Sequence, residues 1–252
     1  MKIDINCDMG ESFGQFKIGN DTELFPYITS CNIACGFHGG DPYHIEKTIK
    51  HAISHGVQIG AHPSYPDLAG FGRRKMQLSV EELSAIIKYQ VAALKGMTES
   101  CGGKLKYVKP HGALYNSIAD DDQEATVVIE AIQAVDDQLA IMGLAGSGIE
   151  SLATKKGIRF IKEAFADRKY TSEGRLESRS KENAVISNPQ EAAKQVMHMV
   201  MHGKVRASDM SEVDIAADSV CIHGDNPSAV NILQAIRNTA RENNISIEAF
   251  AI

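Results

Sequence analysis

Tryptophan is missing from this 252-residue chain, and aromatic residues make up only 6% of it. That leaves little material for a base-stacking surface. Positive charge is also short: 26 Lys and Arg stand against 32 Asp and Glu, a net charge of −6. Nonspecific nucleic-acid binding needs a concentrated positive field, so no nucleic-acid partner is expected. No apolar run approaches the roughly 20 residues of a membrane span, and the opening MKIDINCDMGES puts acidic residues where a signal peptide needs an apolar core. The five cysteines (Cys7, Cys31, Cys35, Cys101, Cys221) are odd in number and none has C-x-x-C spacing. Buried free thiols in a reduced compartment are expected, with no membrane partner and the cytoplasm as the setting. The pattern G-x-x-x-x-G-K-[ST] occurs nowhere, so any nucleotide would be held by other means than a P-loop.

What is present is a repeated alternation. Short apolar runs stop and polar clusters take over at Asn6-Cys7-Asp8 with Glu11, at NIACGFHGGD (32–41), AHPSY (61–65), KPHG (109–112), EAFADR (163–168) and HGDN (223–226). A further run at 139–143 ends in the glycine stretch GLAGSG (143–148), whose backbone N–H groups could cradle an anion. Polar residues at the ends of successive parallel strands converge on one mouth in α/β barrels.

The local signals agree with this. Strands are predicted at 2–6, 27–34, 57–61, 105–108, 139–142, 158–161 and 218–222, and the run 245–252 is either one more closing strand or an edge. Helices are predicted at 42–55, opened by Asp41-Pro42 and closed by Gly56, and from Ser79 to about Cys101, with Glu82 completing a capping box. More follow at about 121–135, 148–156, 189–202 and 227–243. Strand–helix alternation with short connections implies a single (β/α) barrel domain over 1–252 with about seven parallel strands. Two connections are long, 63–77 and 167–188. Both carry basic residues (Arg73, Arg74, Lys75; Arg168, Lys169, Arg175, Arg179) and read either as lids or as solvated insertions.

Asp8, His38, His62 and His111 each follow a different predicted strand and can therefore meet in space, with His223 in a matching position. One carboxylate and several imidazoles suit a divalent transition metal, or a base with an orienting partner; the spacing leaves both open. Lys109 and Arg73 are candidates for stabilising negative charge on a carbonyl or phosphoryl group. Glu163, Asp167 and Arg168 form a mixed acidic and basic set, read as a ligand site or as a salt bridge holding the lid.

The blocks INCDMGESFG, CNIACGFHGGDP, GAHPSYPDLAGFGRR, VKPHGALYN, EAFADRKY and CIHGDNP resemble the signature of the LamB/YcsF family; the least typical stretch is LESRSKENAVISN (176–188). The resemblance implies a seven-stranded barrel similar to that of sugar deacetylases with an Asp/His metal site. It also implies ATP-dependent opening of 5-oxo-L-proline to L-glutamate with two further subunits as partners, ATP being bound here or by those partners. On that reading Asp8 with His38, His62 or His111 supplies the base, and Lys109 and Arg73 face the oxyanion or phosphate. Asn6, Glu11, Glu163, Asp167, Arg168, His223 and Asp225 line the substrate or phosphate site, and Asp8, His62 and His111 are the candidate metal ligands. Two rivals use the same residues: a metal-dependent deacetylase or amidohydrolase without ATP, and a non-catalytic lactam-binding subunit.

Overall fold

The computed structural model describes residues 1–178, 181, 184–224 and 226–251. Parallel strands β1 (Lys2–Met9), β2 (Ser30–Ala34), β3 (Gln58–His62), β4 (Leu105–Val108), β5 (Ala140–Leu144) and β6 (Phe160–Phe165) pair in sequence order. An antiparallel hairpin, β7 (Lys204–Arg206) and β8 (Glu212–Asp214), follows before β9 (Ser219–Ile222). β9 pairs with β6 on one side and with β1 on the other, Asp4 opposite Ser219 and Cys7 opposite Ile222, and so closes a seven-stranded parallel barrel. The last run forms only β10 (Ser246–Ile247), an edge beside Lys2 and Ile3.

The helices wrap this barrel: α1 (Asp21–Leu24), α2 (Pro42–Ser54), α3 (Val80–Ser100), α4 (Gly112–Asp120), α5 (Asp122–Val135), α6 (Gly148–Lys156), α7 (Pro189–His202) and α8 (Ala229–Glu242). Asp41 caps α2 by accepting the N–H groups of Tyr43 and His44, and the Ser79–Glu82 capping box is complete in both directions. α4 is an addition to the sequence reading. It ends on Asp121, which also caps α5, so two helices abut without the loop signal that would have separated them. The hairpin β7–β8 is likewise an addition, because strands of three residues are too short to show alternation.

β1 decides the character of the interior. Ile3, Ile5, Cys7 and Met9 point outward into the main core, with Ile33, Val220 and the helix residues Ile49, Ile87, Ile129 and Ile232. Each such isoleucine contributes about 1.5–3 kcal/mol by leaving water. Period-2 alternation then sends Asp4, Asn6 and Asp8 inward. Facing them across the lower barrel are Tyr107, Ala140, Met142 and Ile161, with Phe250 closing the end. Tyr107 crosses the interior to donate to Asn32 Oδ1 at 2.7 Å, and Gly60 makes room for it: a Cβ there would overlap the Tyr107 ring.

Candidate active site at the barrel mouth

The floor of the mouth is built around Lys109, the residue after β4. Its Nζ lies 2.8 Å from Asp8 Oδ1, 2.8 Å from Glu163 Oε1 and 3.2 Å from Cys221 Sγ. The ammonium donates to Asp8, to Cys221 and, at 3.4 Å, to Asn6 Oδ1, with Glu163 paired to it by charge, and only the weak thiol contact is readily exchanged for an oxyanion. Burial works against the Lys109 charge, but Asp8, Cys221 and Glu163 together hold its pKa well above the ordinary value. Burial also opposes ionisation of Asp8, yet His62 and Lys109 hold that carboxyl well below the carboxylate range. Asn32 ties the floor downward, donating to Asp8 Oδ1 at 2.8 Å and Asn6 Oδ1 at 2.7 Å. Asn6 and Glu163 are therefore fully buried supports beneath the cavity.

Three imidazoles stand on one side. His62 Nδ1 donates to the Lys109 carbonyl at 2.6 Å, and His111 Nε2 donates to the Phe71 carbonyl at 2.9 Å. These bonds fix both tautomers, and the two remaining nitrogens face each other at 2.9 Å. His62 Nε2 also sees Asp8 Oδ2 at 3.4 Å, and His111 Nδ1 sees Glu11 Oε1 at 3.6 Å. Burial and neighbouring imidazoles hold His38 and His111 well below the usual histidine range, hence neutral at neutral pH. Lone pairs and carboxylate oxygens thus converge on a point that only a positive species, a proton or a metal ion, can satisfy. His38 stacks on His111 at 3.7 Å and places Nε2 3.1 Å from Glu11 Oε1. One ligand atom each from Glu11, His38, His62 and His111 lies within 4.8 Å of the others. Two of these rings give their second N–H to backbone carbonyls, the outer-shell pattern of metal-ligating histidines. This donor set fits a divalent transition metal, with Asp8 at its edge rather than within it.

On the opposite wall, His223 Nδ1 donates to Asp167 Oδ1 at 2.9 Å. Asp167 Oδ2 receives the His223 backbone N–H at 3.3 Å and Asn226 Nδ2 at 3.2 Å, and Phe165 stacks on the His223 ring. Between the two walls lies a cavity of about 500 Å³ lined by Asp8, Glu11, His62, Lys109, His111 and His223. The long loops complete it. Phe71 and Gly72 bond to His111 and Ala113, and Arg73 lies at the rim over the Phe71 ring. Gly72, at φ +63°, is required there, since a Cβ would meet His111 at 2.8 Å. Arg168, Arg175, Leu176, Glu177 and Ser178 form the other loop wall, and Arg168 Nη2 donates to the Glu177 carbonyl. Described residues of both loops thus contribute to the cavity wall, Arg73 from the first and Arg168 and 175–178 from the second. Asp225 and Arg179 lie outside the described residues.

Asp8, Glu11, His62, Arg73, Lys109, His111, Arg168 and His223 thus share one cavity, with His38 behind His111 and Asp167 behind His223. Cys221 and Tyr115 were missed, and Asn226 of the 223–226 cluster holds Asp167 rather than lining the cavity; Cys221 was readable as an inward position two residues after Ser219. The sequence also contains a G-x-S-x-G string at 10–14. Its Ser12 exchanges hydrogen bonds with the Ile18 backbone and sits at no strand–helix elbow. In the stretch 143–148 only Leu144 lines the cavity; Gly148 packs toward Asp122, an acidic neighbour that does not suit a phosphate. All five cysteines are free thiols. Among the described residues, no helix is long and apolar enough to cross a membrane.

Known proteins share this sequence and this fold. The chain is 48% identical over 250 residues to the A subunit of 5-oxoprolinase from Acinetobacter baylyi, covering 99% of this chain and 98% of that protein. It is 48% identical over 248 residues to the protein of that name from Photorhabdus laumondii, covering 98% of each. The lactam utilization protein from Thermus thermophilus superposes with a TM-score of 0.94 at 44% identity, over 99% of this chain and 100% of that one. A family 4 carbohydrate esterase from Streptomyces lividans shares the fold alone, with a TM-score of 0.50 and 9% identity over 98% of this chain and 91% of that one. With the family model matching residues 3–252, the chain belongs to the LamB/YcsF family.

Proposed function

We propose that the chain is a subunit of a 5-oxoprolinase and forms the ring-opening site, a hydrolase acting on a cyclic amide. The observation that carries this reading is the 48% identity, over nearly the full length of both chains, to proteins named as the A subunit of 5-oxoprolinase. The mouth suits the chemistry. A five-membered lactam is a stable amide, and its hydrolysis gains from phosphate placed on the carbonyl oxygen. The phosphate comes from ATP at the level of the assembled complex, which on this reading contains two further subunits. A cavity of about 500 Å³ has room for a lactam in activated form, and Arg73, Arg168 and Arg175 on its walls favour an anionic ligand.

Asp8, kept ionised by Lys109, and His62 at 3.4 Å from it take the proton of the attacking water. Lys109 meets the negative charge on the carbonyl oxygen, as oxyanion or as phosphate, by giving up its Cys221 contact. A divalent metal held by Glu11, His38, His62 and His111 would supply Lewis acidity at the same place, with Asp8 then the base rather than His62. The free thiols fit a cytoplasmic setting.

The test is glutamate release from 5-oxo-L-proline with ATP, with and without the partner subunits. Partner-dependent release that falls about 10²–10⁴-fold on His111→Ala is expected. Release unchanged by Asp8→Ala or His111→Ala would remove the site from the chemistry. The imidazole cluster also favours a second reading, metal-dependent amide or N-acyl hydrolysis without ATP. Stoichiometric metal after purification, together with ATP-independent turnover, would move the assignment there.

A further inference from the structure

We propose that His223 is the proton donor to the leaving nitrogen of the lactam, with Asp167 as the residue that positions it. This rests on the ring-opening reading. Breaking the carbonyl C–N bond leaves the electron pair on nitrogen, and an amide anion is far too basic to depart, so the nitrogen must gain a proton as the bond breaks. The three-imidazole wall is poorly placed to give it. His111 Nε2 and His62 Nδ1 already donate to the Phe71 and Lys109 carbonyls, and the nitrogens left over face each other.

The other wall has the opposite design. Asp167 is fully buried and receives three hydrogen bonds, two from His223 and one from Asn226. Burial opposes its charge, but His223 and Asn226 more than offset that and keep the carboxyl below its ordinary range. The carboxylate on Nδ1 fixes the orientation of the ring and leaves Nε2 as the nitrogen available to the cavity that His223 lines. Phe165 stacks at 5.5 Å and 17°, fixing the ring plane. A ring nitrogen of His223 lies within 4.8 Å of an Asp8 carboxylate oxygen, while His62 stands 3.4 Å from Asp8. Asp8 thus separates a water-activating side from a proton-donating side.

The step balances. Water adds to the carbonyl carbon and gives one proton to Asp8 or His62. The C–N bond breaks with its electron pair on nitrogen, which takes the proton from His223 Nε2, and solvent returns the protons between turnovers. Lactam plus water becomes amino acid; with phosphate on the carbonyl oxygen, C–N cleavage leaves an acyl phosphate, and a second water releases inorganic phosphate and the acid.

The experiment compares two substrates in the assembled complex: 5-oxo-L-proline and the γ-lactone bearing the same carboxylate, whose alkoxide leaves with far less help. For His223→Gln, lactam opening falls about 10²–10⁴-fold while lactone opening falls less than about tenfold. Asp167→Asn shifts the lactam-to-lactone ratio in the same direction by a smaller factor, and carries the test if His223→Gln fails to assemble. Equal losses on both substrates, or undiminished lactam opening, would overturn the assignment. A wild-type complex that opens no lactam would instead remove the underlying reading.

Discussion

The two ends of the barrel interior are both polar, yet they are built on different rules. At the floor, Asp4 accepts hydrogen bonds from Thr29 and Ser30 at 2.6 Å and from Ser219, and Asn6, Asn32 and Tyr107 bond one another above it. Each carboxylate or carbonyl oxygen in that layer meets a hydroxyl, an amide or an ammonium. At the mouth, two carboxylates share one ammonium, and two imidazole nitrogens aim lone pairs at the same point. A closed network gives structure. An open one, in which donors and acceptors fail to balance without an added proton, metal or substrate, marks chemistry. Buried polarity alone would have marked both ends as functional.

The sharpest way to break that contrast is Lys109→Met. It leaves Asp8 and Glu163 buried against each other and should cost about 3–5 kcal/mol of stability, read by urea unfolding, along with turnover. Adding Glu163→Gln to that variant should recover part of the stability and none of the activity. A small loss for the single variant would mean that the mouth, like the floor, has other means of balancing its charges. Phe250→Ala tests the closed end. Removing the ring that packs on Tyr107 at 5.2 Å should cost about 3 kcal/mol while leaving turnover per folded molecule unchanged. An activity loss there would show that the floor transmits its packing to the mouth through Tyr107 and Asn32.

Much of this layout was legible in the sequence, and the failures have physical causes. The order of strands and helices followed from apolar runs punctuated by caps such as Asp41-Pro42 and Ser79-Glu82. Strand ends were placed too early at β1 and β6, because polar residues were taken as the end of the strand. In a barrel with a polar interior Asp8 and Glu163 are still within the ladder, pointing inward. The alternation Asp4, Asn6, Asp8 against Ile3, Ile5, Cys7 carried that information. Asp8, His62, Lys109 and His111 could be named from their strand-end positions. His38 could be named with them, but that Glu11 joins the imidazoles while Asp167 serves His223 could not, since which polar residues pair across a mouth depends on loop conformations such as that around Phe71 and Gly72.

The finest test concerns Asp4 alone. Burial pushes its carboxyl up to about 6, against the pull of the Ser219, Ser30 and Thr29 hydroxyls. The folded chain therefore keeps this proton to higher pH than the unfolded chain, whose aspartates titrate near ~3.9. Between those values the folded state binds more protons, so this group makes stability fall as pH rises from about 4 to about 6 and leaves it level above. Asp4→Asn removes the titration and keeps the shape. The stability of the wild type relative to this variant should then drop by on the order of 2 kcal/mol between the ends of that window, as measured by urea unfolding. Asp8 and Asp167, whose carboxyls are shifted the other way, contribute equally to both proteins and cancel. A relative stability that instead rises with pH would mean that the three hydroxyls overcome burial and hold Asp4 ionised. The floor would then store a charge as the mouth does, and the difference between the two ends would lie in how completely that charge is solvated by its neighbours.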